Sequence, residues 1–289
     1  SLFGLAHSLI ENESLIRLVD HHRSHAHIIE FSNQEFYEER LRVATNYDHL
    51  KILNANETGI TWIDIQGNVL RPNSGSALNN NEAKKVHELL KDILINKSYT
   101  GTIGVVSPLR AQANQIRKLV ETDKELSLAA SQSKFISDTV HKFQGDERDI
   151  IIFSPVMSKN FPESSLHFFK TNGNLFNVAI TRARAQLIVV GDLQYCKDCG
   201  VGYLSRFAKY ASTLENKNKK AEKIEMKNLT LTYPEVSNSE LVSEWEKYFY
   251  KNAFKRGFRL MPQFQIEKFT VDFLMVSKER KLVIEIDGE

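Results

Sequence analysis

Apolar and polar positions alternate along the first two thirds of the chain in blocks typical of strands and helices in turn. Short apolar runs bounded by polar turns, the pattern of buried strands in a parallel sheet, stand at Ile103–Ser107, Ile150–Phe153 and Leu187–Val190. Amphipathic segments with helical spacing include Glu82–Ile95 and Ala111–Glu121. Strands that alternate with helices predict βαβ units, and therefore an α/β fold with a parallel sheet flanked by helices.

The same pattern predicts further helices, strands and loops along the first two thirds of the chain. Either Asn79 or Asn81 is expected to cap the helix Glu82–Ile95. Residues 122–135 are interpreted as a polar connection. The remaining predicted elements are helices at 1–20, Ile28–Leu41 and Phe176–Ala183, strands at Thr58–Ile65 and Ile136–Thr139, a loop at 66–81, and a loop with a short helix at 158–174.

The composition changes after residue 212. Residues 213–238 are charged, poor in core residues and end in a turn-like run, so we interpret them as a linker between a domain at 1–212 and a second domain at 239–289. The second domain is predicted to hold a helix followed by three strands, Glu240–Arg256, Leu260–Ile266, Thr270–Val276 and Lys281–Ile286. Because the chain stops directly after a strand, we expect this domain to be truncated.

Composition narrows the class of protein. The chain has 289 residues, 42% of them hydrophobic and 26% charged, and a formal net charge of +2, which fits an ordinary soluble protein. No apolar run approaches the roughly 20 residues that span a bilayer, and no secretory signal is visible, so we expect a cytoplasmic protein without a membrane partner. The two cysteines, Cys196 and Cys199, are interpreted as loop thiols rather than half of a zinc site.

Two of the apolar runs are each attached to a polar cluster. In open α/β sheets, chemistry is found where loops leave the strand ends. Arginine stays charged and presents a planar fork of donors that suits phosphate, so these clusters indicate a nucleotide-driven protein. The residues beside Ile150–Phe153 and Leu187–Val190 are Gln144, Gly145, Glu147, Arg182 and Arg184.

Three further motifs precede these clusters in the chain: Asp20-His21-His22-Arg23 with its flanks, Asn79-x-x-Glu82-Ala83, and Ile103-Gly-Val-Val-Ser-Pro-Leu-Arg-Ala-Gln. In this order and spacing the motifs closely resemble the second RecA-like domain of superfamily 1 helicases, in the B subgroup of nonsense-decay and DNA-replication helicase–nucleases. The resemblance covers roughly residues 1–210. It implies a RecA-like parallel sheet with ATP and Mg²⁺ as cofactors.

The resemblance also implies roles at the nucleotide. Arg23 and Arg182 would stabilise charge on the transferred phosphoryl group. Gln144, Gly145 and Glu147 would couple nucleotide to nucleic acid. Arg184 would also bind the nucleotide. His22 stands where the family often has Tyr.

A second set of residues is expected to contact nucleic acid. Ser107, Pro108, Thr139 and His141 follow or end predicted strands, where hydroxyl and backbone donors would position a single strand by its phosphates without reading its sequence. The chain contains no Gly-x-x-x-x-Gly-Lys-Ser/Thr segment. We therefore expect an ATP site shared with a first RecA-like domain, which would be the partner of this one.

The tail carries a separate group of acids. Glu285 and Asp287 alternate along a predicted strand and so share one face, and Asp272 stands on the neighbouring strand. Three converging carboxylates would bind Mg²⁺, which could activate water against a phosphodiester. The pattern resembles the PD-(D/E)XK nucleases of the very-short-patch-repair type, which implies that Glu246 aids the site. Asp287 stands where many relatives have Lys.

The expected function is that of a C-terminal part of an ATP-dependent DNA helicase with an appended nuclease, inactive as a fragment. Its expected substrate is single-stranded or junction DNA. Two alternatives stay open at this point. One is an RNA helicase of the decay type, and the other is a nucleic-acid-binding module that never turns over ATP.

Overall fold

The computed structural model describes residues 18–53, 59–72, 75–143, 145–227, 232–236, 239, 242–256, 258–266, 269–277 and 280–286. The chain divides into two compact units, Ser1–Ser212 and Thr213–Glu289. The helix predicted at 1–20 lies outside the described residues for nearly its whole length. Among the described helices, none combines the length and apolarity that crossing a bilayer requires.

The first unit is built on a five-stranded parallel sheet. The strands of the whole unit, five of which form this sheet, are in chain order β1 Asp20–His21, β2 Arg42–Val43, β3 Gly59–Asp64, β4 Val69–Leu70, β5 Leu78–Asn79, β6 Ile103–Ser107, β7 Ile136–Thr139, β8 Arg148–Phe153 and β9 Ala183–Gly191. The main sheet has the spatial order β3-β9-β8-β6-β7, with every neighbouring pair parallel. This arrangement confirms the predicted α/β fold.

Helices flank the main sheet. They are α1 Ala26–Phe36, α2 Asn80–Lys91, α3 Arg110–Thr122, α4 Lys124–Gln132, α5 Glu163–Thr171, α6 Gly173–Ile180, α7 Leu193–Asp198 and α8 Gly202–Lys227. A π-helical turn, Asp92–Asn96, extends α2, and short 3-10 turns stand at Tyr47–His49 and Val140–Phe143. Asn79 is the cap of α2, because its side chain accepts the backbone N–H groups of Asn81 and Glu82.

The two faces of the sheet have different cores. Because strand side chains alternate, Ile150 and Ile152 of β8 join an aliphatic cluster with α2, α3 and α4. On the other face Phe153 packs edge-on against Phe176 of α6, with ring centroids 5.7 Å apart. Phe176 in turn contacts Phe207 of α8 at 5.2 Å. The continuous apolar runs of the sequence are therefore strands that are buried on both faces.

Two helices differ from the sequence prediction. Helix α1 ends at Phe36 rather than Leu41, because Glu38 and Glu39 adopt left-handed φ angles of 53° and 58° that a helix cannot continue through. The predicted polar connection contains helix α4. Asp123 caps it by accepting the N–H of Leu126, and Leu126 is buried.

The segment predicted as a linker is partly helical. Helix α8 runs to Lys227, so residues 213–227 continue a helix that begins at Gly202. The charged residues of this segment are mostly Lys and Glu, which have good helix propensity, and the prediction took their polarity as a sign of a loop. A charged helix and a linker therefore share the same composition here.

The second unit places one helix beside a three-stranded antiparallel sheet. Its elements are α9 Glu244–Lys255, β10 Leu260–Ile266, β11 Phe269–Ser277 and β12 Arg280–Ile284, with the strands in chain order in the sheet. Tyr250, Leu260 and Phe273 form its buried core. Tyr233, which the sequence analysis assigned to the linker, packs on this core with its ring centroid 5.3 Å from that of Tyr250. The likeness of this unit to an endonuclease rests on the sequence motifs.

Candidate nucleotide and nucleic-acid sites

The predicted site residues separate onto two opposite edges of the main sheet. Arg148 and Ala183 are the first residues of β8 and β9, so the charged clusters just before them lie at the amino edge. Ser107 and Thr139 are the last residues of β6 and β7, at the carboxyl edge. Because all five strands run in one direction, these two edges face away from each other. Glu147 and Arg182 thus precede these strands, and Arg184 is the second residue of β9, so the charged cluster lies where the strands begin rather than where they end.

At the amino edge, two arginines from distant parts of the chain share one carboxylate. The Nε of Arg23 lies 3.6 Å from one carboxylate oxygen of Glu147, and the Nε of Arg184 lies 3.7 Å from the other. An Nη of Arg184 also lies 3.7 Å from Oδ1 of Asp149. These distances are those of loose ion pairs rather than hydrogen bonds. The guanidinium groups are therefore attracted to the carboxylates but are not fixed in one geometry by them.

Arg182 stands beside this pair. Its Nε donates to the carbonyl oxygen of Val178 one helical turn earlier, at 3.2 Å. Burial, followed by the positive charge of Arg23, lowers the pKa of the Arg182 guanidinium from its ordinary value. The positive charge of Arg23 is therefore close enough to Arg182 to disfavour its charged form, in addition to the larger effect of burial.

Several polar atoms of the cluster lack hydrogen-bond partners within the described part of the chain. They include the Nε atoms of Arg23 and Arg184 and Oδ1 of Asp149, all of them buried. Buried polar groups are normally paired, and an unpaired donor costs free energy. A polyphosphate offers the acceptors that these guanidinium groups lack, so the donor set fits ATP phosphates.

The backbone around Arg23 is tied to the arginine motif. The N–H of His25 donates to the carbonyl oxygen of Arg184 at 2.8 Å, and β1 pairs with β2 on the other side of Arg23. Burial, together with the charges of Arg23 and His22, lowers the pKa of His21 to about 4. His21 is therefore neutral at physiological pH and accepts the N–H of Ser24 at 2.9 Å.

The turn before Glu147 requires a glycine. Gly145 has a φ of +85°, in the left-handed region, and an added side chain would meet nothing within 4 Å, so the constraint is one of backbone conformation alone. Gln144 lies outside the described residues. The turn places Glu147, whose side chain is about two fifths exposed, between the two arginines.

At the carboxyl edge, the predicted nucleic-acid residues differ in accessibility. Ser107 is fully buried and its hydroxyl accepts the N–H of Leu109 at 3.3 Å. Thr139 is nearly buried, whereas His141 is exposed. Pro108, Thr139 and His141 nevertheless line one apolar pocket, which the rings of α5 close from the other side. Ser107 shapes the turn that presents Pro108 rather than facing solvent itself.

The sequence analysis missed the role of Glu82. This glutamate is fully buried at the start of α2, and its carboxylate accepts the hydroxyl of Ser154 at 2.6 Å and the N–H of Val156 at 2.9 Å. Burial raises its pKa to about 8. Val156 has a φ of 67°, which is strained for a β-branched residue. Glu82 therefore fixes the loop that leaves β8. The motif Asn79-x-x-Glu82-Ala83 contains this residue, but its partners Ser154 and Val156 lie too far along the chain for the motif to indicate them.

In the second unit, Glu246 is the centre of a hydrogen-bond network. It is buried near the start of α9 and accepts the backbone N–H and the hydroxyl of Ser243, each at 2.9 Å, and the amide of Gln263 at 2.8 Å. The hydroxyl of Tyr233 lies 3.4 Å from it. Glu246 is thus a well-satisfied carboxylate that joins the helix to β10.

The other predicted nuclease acids are not gathered in the described residues. Asp272 is partly buried and accepts the N–H of Ile286 at 2.7 Å. Glu285 is exposed just after β12, and Asp287 lies outside the described ranges. Within those ranges no three acidic, histidine or cysteine side chains form a group that could hold a metal. The cysteine prediction was wrong in one respect, because Cys196 is buried within α7 rather than in a loop.

Comparison with known proteins supplies the family of the first unit. Residues 1–194 match a protein family described as AAA domain. The chain belongs to this AAA domain family. Among similar curated proteins are the putative helicase mov-10-B.1 of Danio rerio, 29% identical over 63% of the chain, the helicase sen1 of Schizosaccharomyces pombe, 30% identical over 68%, and the DNA polymerase alpha-associated DNA helicase A of Saccharomyces cerevisiae, 32% identical over 52%.

The AAA domain match includes both edges of the sheet described above, since Arg184 of the amino edge and Thr139 of the carboxyl edge both lie within residues 1–194. All three relatives are helicases by name. The chain spans 20%, 12% and 22% of their respective lengths, so it corresponds to a minor part of each.

Proposed function

We propose that this AAA domain is the second RecA-like domain of a superfamily 1 helicase of the B subgroup, and that it completes an ATP site with a first RecA-like domain. The observation that carries the proposal is the cluster of Arg23, Arg182 and Arg184 around Glu147, with buried donors that find no partner in the described residues. A surface salt bridge would have satisfied those donors, whereas an incoming polyphosphate supplies the missing acceptors.

The residues at the amino edge have different roles in the proposed ATP site. Bound ATP with Mg²⁺ would supply the phosphoryl chemistry. Arg23 and Arg182 donate to phosphate oxygens and stabilise the negative charge that develops there, because arginine keeps its charge even when partly buried. Glu147 holds Arg23 and Arg184 in place through its two carboxylate oxygens.

We infer that the carboxyl edge binds a single strand of nucleic acid. Pro108, Thr139 and His141 lie together there, and Thr139 and His141 are joined to the turn before Glu147 by a single short stretch of chain. A change at the nucleotide would be passed to the strand-binding edge through this stretch, which joins the end of β7 to Glu147. DNA is the proposed substrate, in the cytoplasm, and RNA is the alternative.

A direct experiment tests the ATP proposal. The chain by itself should show no ATPase above background with or without single-stranded DNA, while the full-length protein should hydrolyse ATP and lose that activity on Arg23→Ala. ATPase from the chain alone at a rate near that of the full-length protein would contradict a shared site. Unchanged turnover in Arg23→Ala would contradict the assignment of the cluster.

A second candidate function, a Mg²⁺-dependent nuclease, belongs to the second unit. Its support is limited to a few contacts in this unit. Glu246 is held by a hydrogen-bond network that includes Gln263 of β10, and Asp272 lies on the neighbouring strand β11. The metal ligands would be Asp272, Glu285 and Asp287. The full-length protein should nick DNA with Mg²⁺ or Mn²⁺, and Asp272→Ala should abolish nicking while sparing ATPase. Nicking that survives Asp272→Ala would rule out this site.

A further inference from the structure

The outer face of helix α9 carries an unusual combination of aromatic and basic side chains. Trp245 and Tyr248 are 62% and 65% exposed, and their rings meet edge-to-face with centroids 6.3 Å apart. Lys251 and Lys255 follow at helical spacing on the same side and are exposed as well. We call Trp245, Tyr248, Lys251 and Lys255 the α9 outer stripe.

The aromatic residues of this stripe are not needed for the core of the unit. The opposite side of α9 carries the buried Glu246, Tyr250 and Ala253. Tryptophan and tyrosine are large apolar groups, and leaving both in water forgoes the free energy that their burial would provide. Exposed aromatic patches rimmed by polar groups mark binding sites on soluble proteins.

The charge of the stripe is positive. Helix α9 has two acidic residues, and neither offsets the lysines of the stripe: Glu246 is buried, and Glu244 is paired with Lys247 at 2.7 Å. Among the described residues, Lys251, Lys255 and Arg256 form no ion pair. The stripe therefore attracts an anion, and its aromatic rings require that the anion also present flat apolar surfaces.

We propose that the α9 outer stripe binds single-stranded nucleic acid, with bases stacked on Trp245 and Tyr248 and phosphates at Lys251 and Lys255. A single strand combines accessible base faces with a regular negative charge, and aromatic platforms among basic residues are the way proteins hold it without reading sequence. From Trp245 to Lys255 the helix rises about 15 Å, enough for about four nucleotides. The proposal rests on the proposed nucleic-acid function and extends it to the second unit.

The two tryptophans of the chain make the proposal measurable. Trp62 is 6% exposed in the first unit, whereas Trp245 is exposed in the second. In a Trp62→Phe variant, Trp245 is the only tryptophan, so its emission reports on the stripe. Titration with a short oligothymidylate should quench that emission and protect Trp245 from acrylamide. The matched variant Trp245→Phe, which keeps Trp62, should show little change.

Affinity measurements separate stacking from charge. By fluorescence anisotropy, Trp245→Ala should weaken binding of a labelled oligothymidylate on the order of tenfold, the loss expected for one stacked base. An abasic oligonucleotide of equal length should bind the parent protein and Trp245→Ala equally. Lys251→Gln should lower the slope of log affinity against log salt by about one. Phe269→Ala, at an exposed aromatic position outside the helix, serves as the control and should leave affinity unchanged.

The possible outcomes distinguish a failure of the stripe proposal from a failure of the helicase assignment on which it rests. If oligonucleotide binds and Thr139→Ala weakens it, yet Trp245 emission stays constant, the stripe proposal is wrong and the helicase assignment stands. If no oligonucleotide binds at all, both are wrong. If Trp245 becomes protected from acrylamide as protein concentration rises without oligonucleotide, the stripe is a contact between copies of the chain and the proposal is overturned.

Discussion

At the scale of single residues, the candidate ATP site depends on arginines that are held close together by one glutamate. Arg23, Arg182 and Arg184 come from two segments about 160 residues apart in the chain, and Glu147 lies between two of them. The pKa of Arg182 is lowered first by burial and then by the positive charge of Arg23. In the proposed ATP site, a bound phosphate would offset this repulsion between like charges.

The first residue-scale prediction concerns Arg182. In the full-length protein, Arg182→Ala should reduce ATP turnover on the order of 10²–10³-fold, the effect of losing a transition-state donor. Arg182→Lys keeps the charge but loses the planar fork, so it should recover only part of the activity. Steady-state ATPase assays measure both. Arg206→Ala, which removes an exposed arginine paired with Glu35, should leave turnover unchanged. Full activity in Arg182→Lys would mean that charge alone suffices.

The second residue-scale prediction concerns pH and Glu82. Its folded pKa is raised to about 8 from an ordinary value of 4.5, so between these values the folded chain binds a proton that the unfolded chain has released. Stability therefore falls as pH rises through this window. Urea unfolding at pH 5 and pH 8 should show a steeper decline for the parent chain than for Glu82→Gln, which does not titrate. Equal pH dependence in the two proteins would show that Glu82 ionises normally.

At the scale of elements, helix starts are determined by a few side chains. Helix α9 begins with a capping box, in which Ser243 accepts the N–H of Glu246 at 3.1 Å and Glu246 accepts the N–H of Ser243. The box is joined to β10 through Gln263, so the helix start and the sheet are positioned together. This explains why α9 begins at Glu244, four residues later than its apolar pattern predicted.

The element-scale prediction tests this box. Ser243→Ala removes the cap acceptor and one donor to the buried Glu246, and should lower the free energy of unfolding of the second unit by about 1 kcal/mol. Ser243→Thr keeps the hydroxyl and should cost much less. Urea unfolding followed by circular dichroism measures both changes. A loss in Ser243→Thr as large as that in Ser243→Ala would show that packing, rather than capping, dominates at this position.

At the scale of the whole molecule, the first unit separates its two candidate ligands across the sheet. The nucleotide cluster stands before β8 and β9, and the candidate strand-binding residues stand after β6 and β7. Nucleotide would then act where β8 and β9 begin, and nucleic acid where β6 and β7 end, at opposite ends of strands in one sheet. The segment that follows β7 and contains the turn at Gly145 joins the two ends along the chain.

The molecule-scale prediction concerns binding of single strands. The chain should bind oligothymidylate weakly and without sequence preference, with affinity falling steeply as salt rises, because phosphate contacts release counterions. Thr139→Ala and His141→Ala should each weaken binding, as measured by anisotropy. An affinity that is independent of salt, or a strong preference for one sequence, would contradict contacts to the backbone.

The sequence by itself determined the bounds of two strands of the main sheet. Ile103–Ser107 and Ile136–Thr139 were predicted to the residue, and Pro108, which cannot donate to a strand ladder, directly follows the first of them. The α/β alternation followed from the order of the predicted strands and helices. Helix α4 and the helical part of the linker were missed, because a charged helix and a loop have similar composition. Helix α4 buries only Leu126 and Ala130 among its nine residues, which is too few to produce a clear periodic pattern.

Only the tertiary structure decided which residues meet. The strand order β3-β9-β8-β6-β7, the placement of the arginine cluster at the amino edge, and the contact of Arg23 with Glu147 all join segments far apart in the chain. The same holds for Glu82, whose partners Ser154 and Val156 lie more than 70 residues away. A hydrophobic pattern describes one helix or one strand at a time. These contacts depend instead on how whole elements pack against each other, and no local pattern encodes that packing.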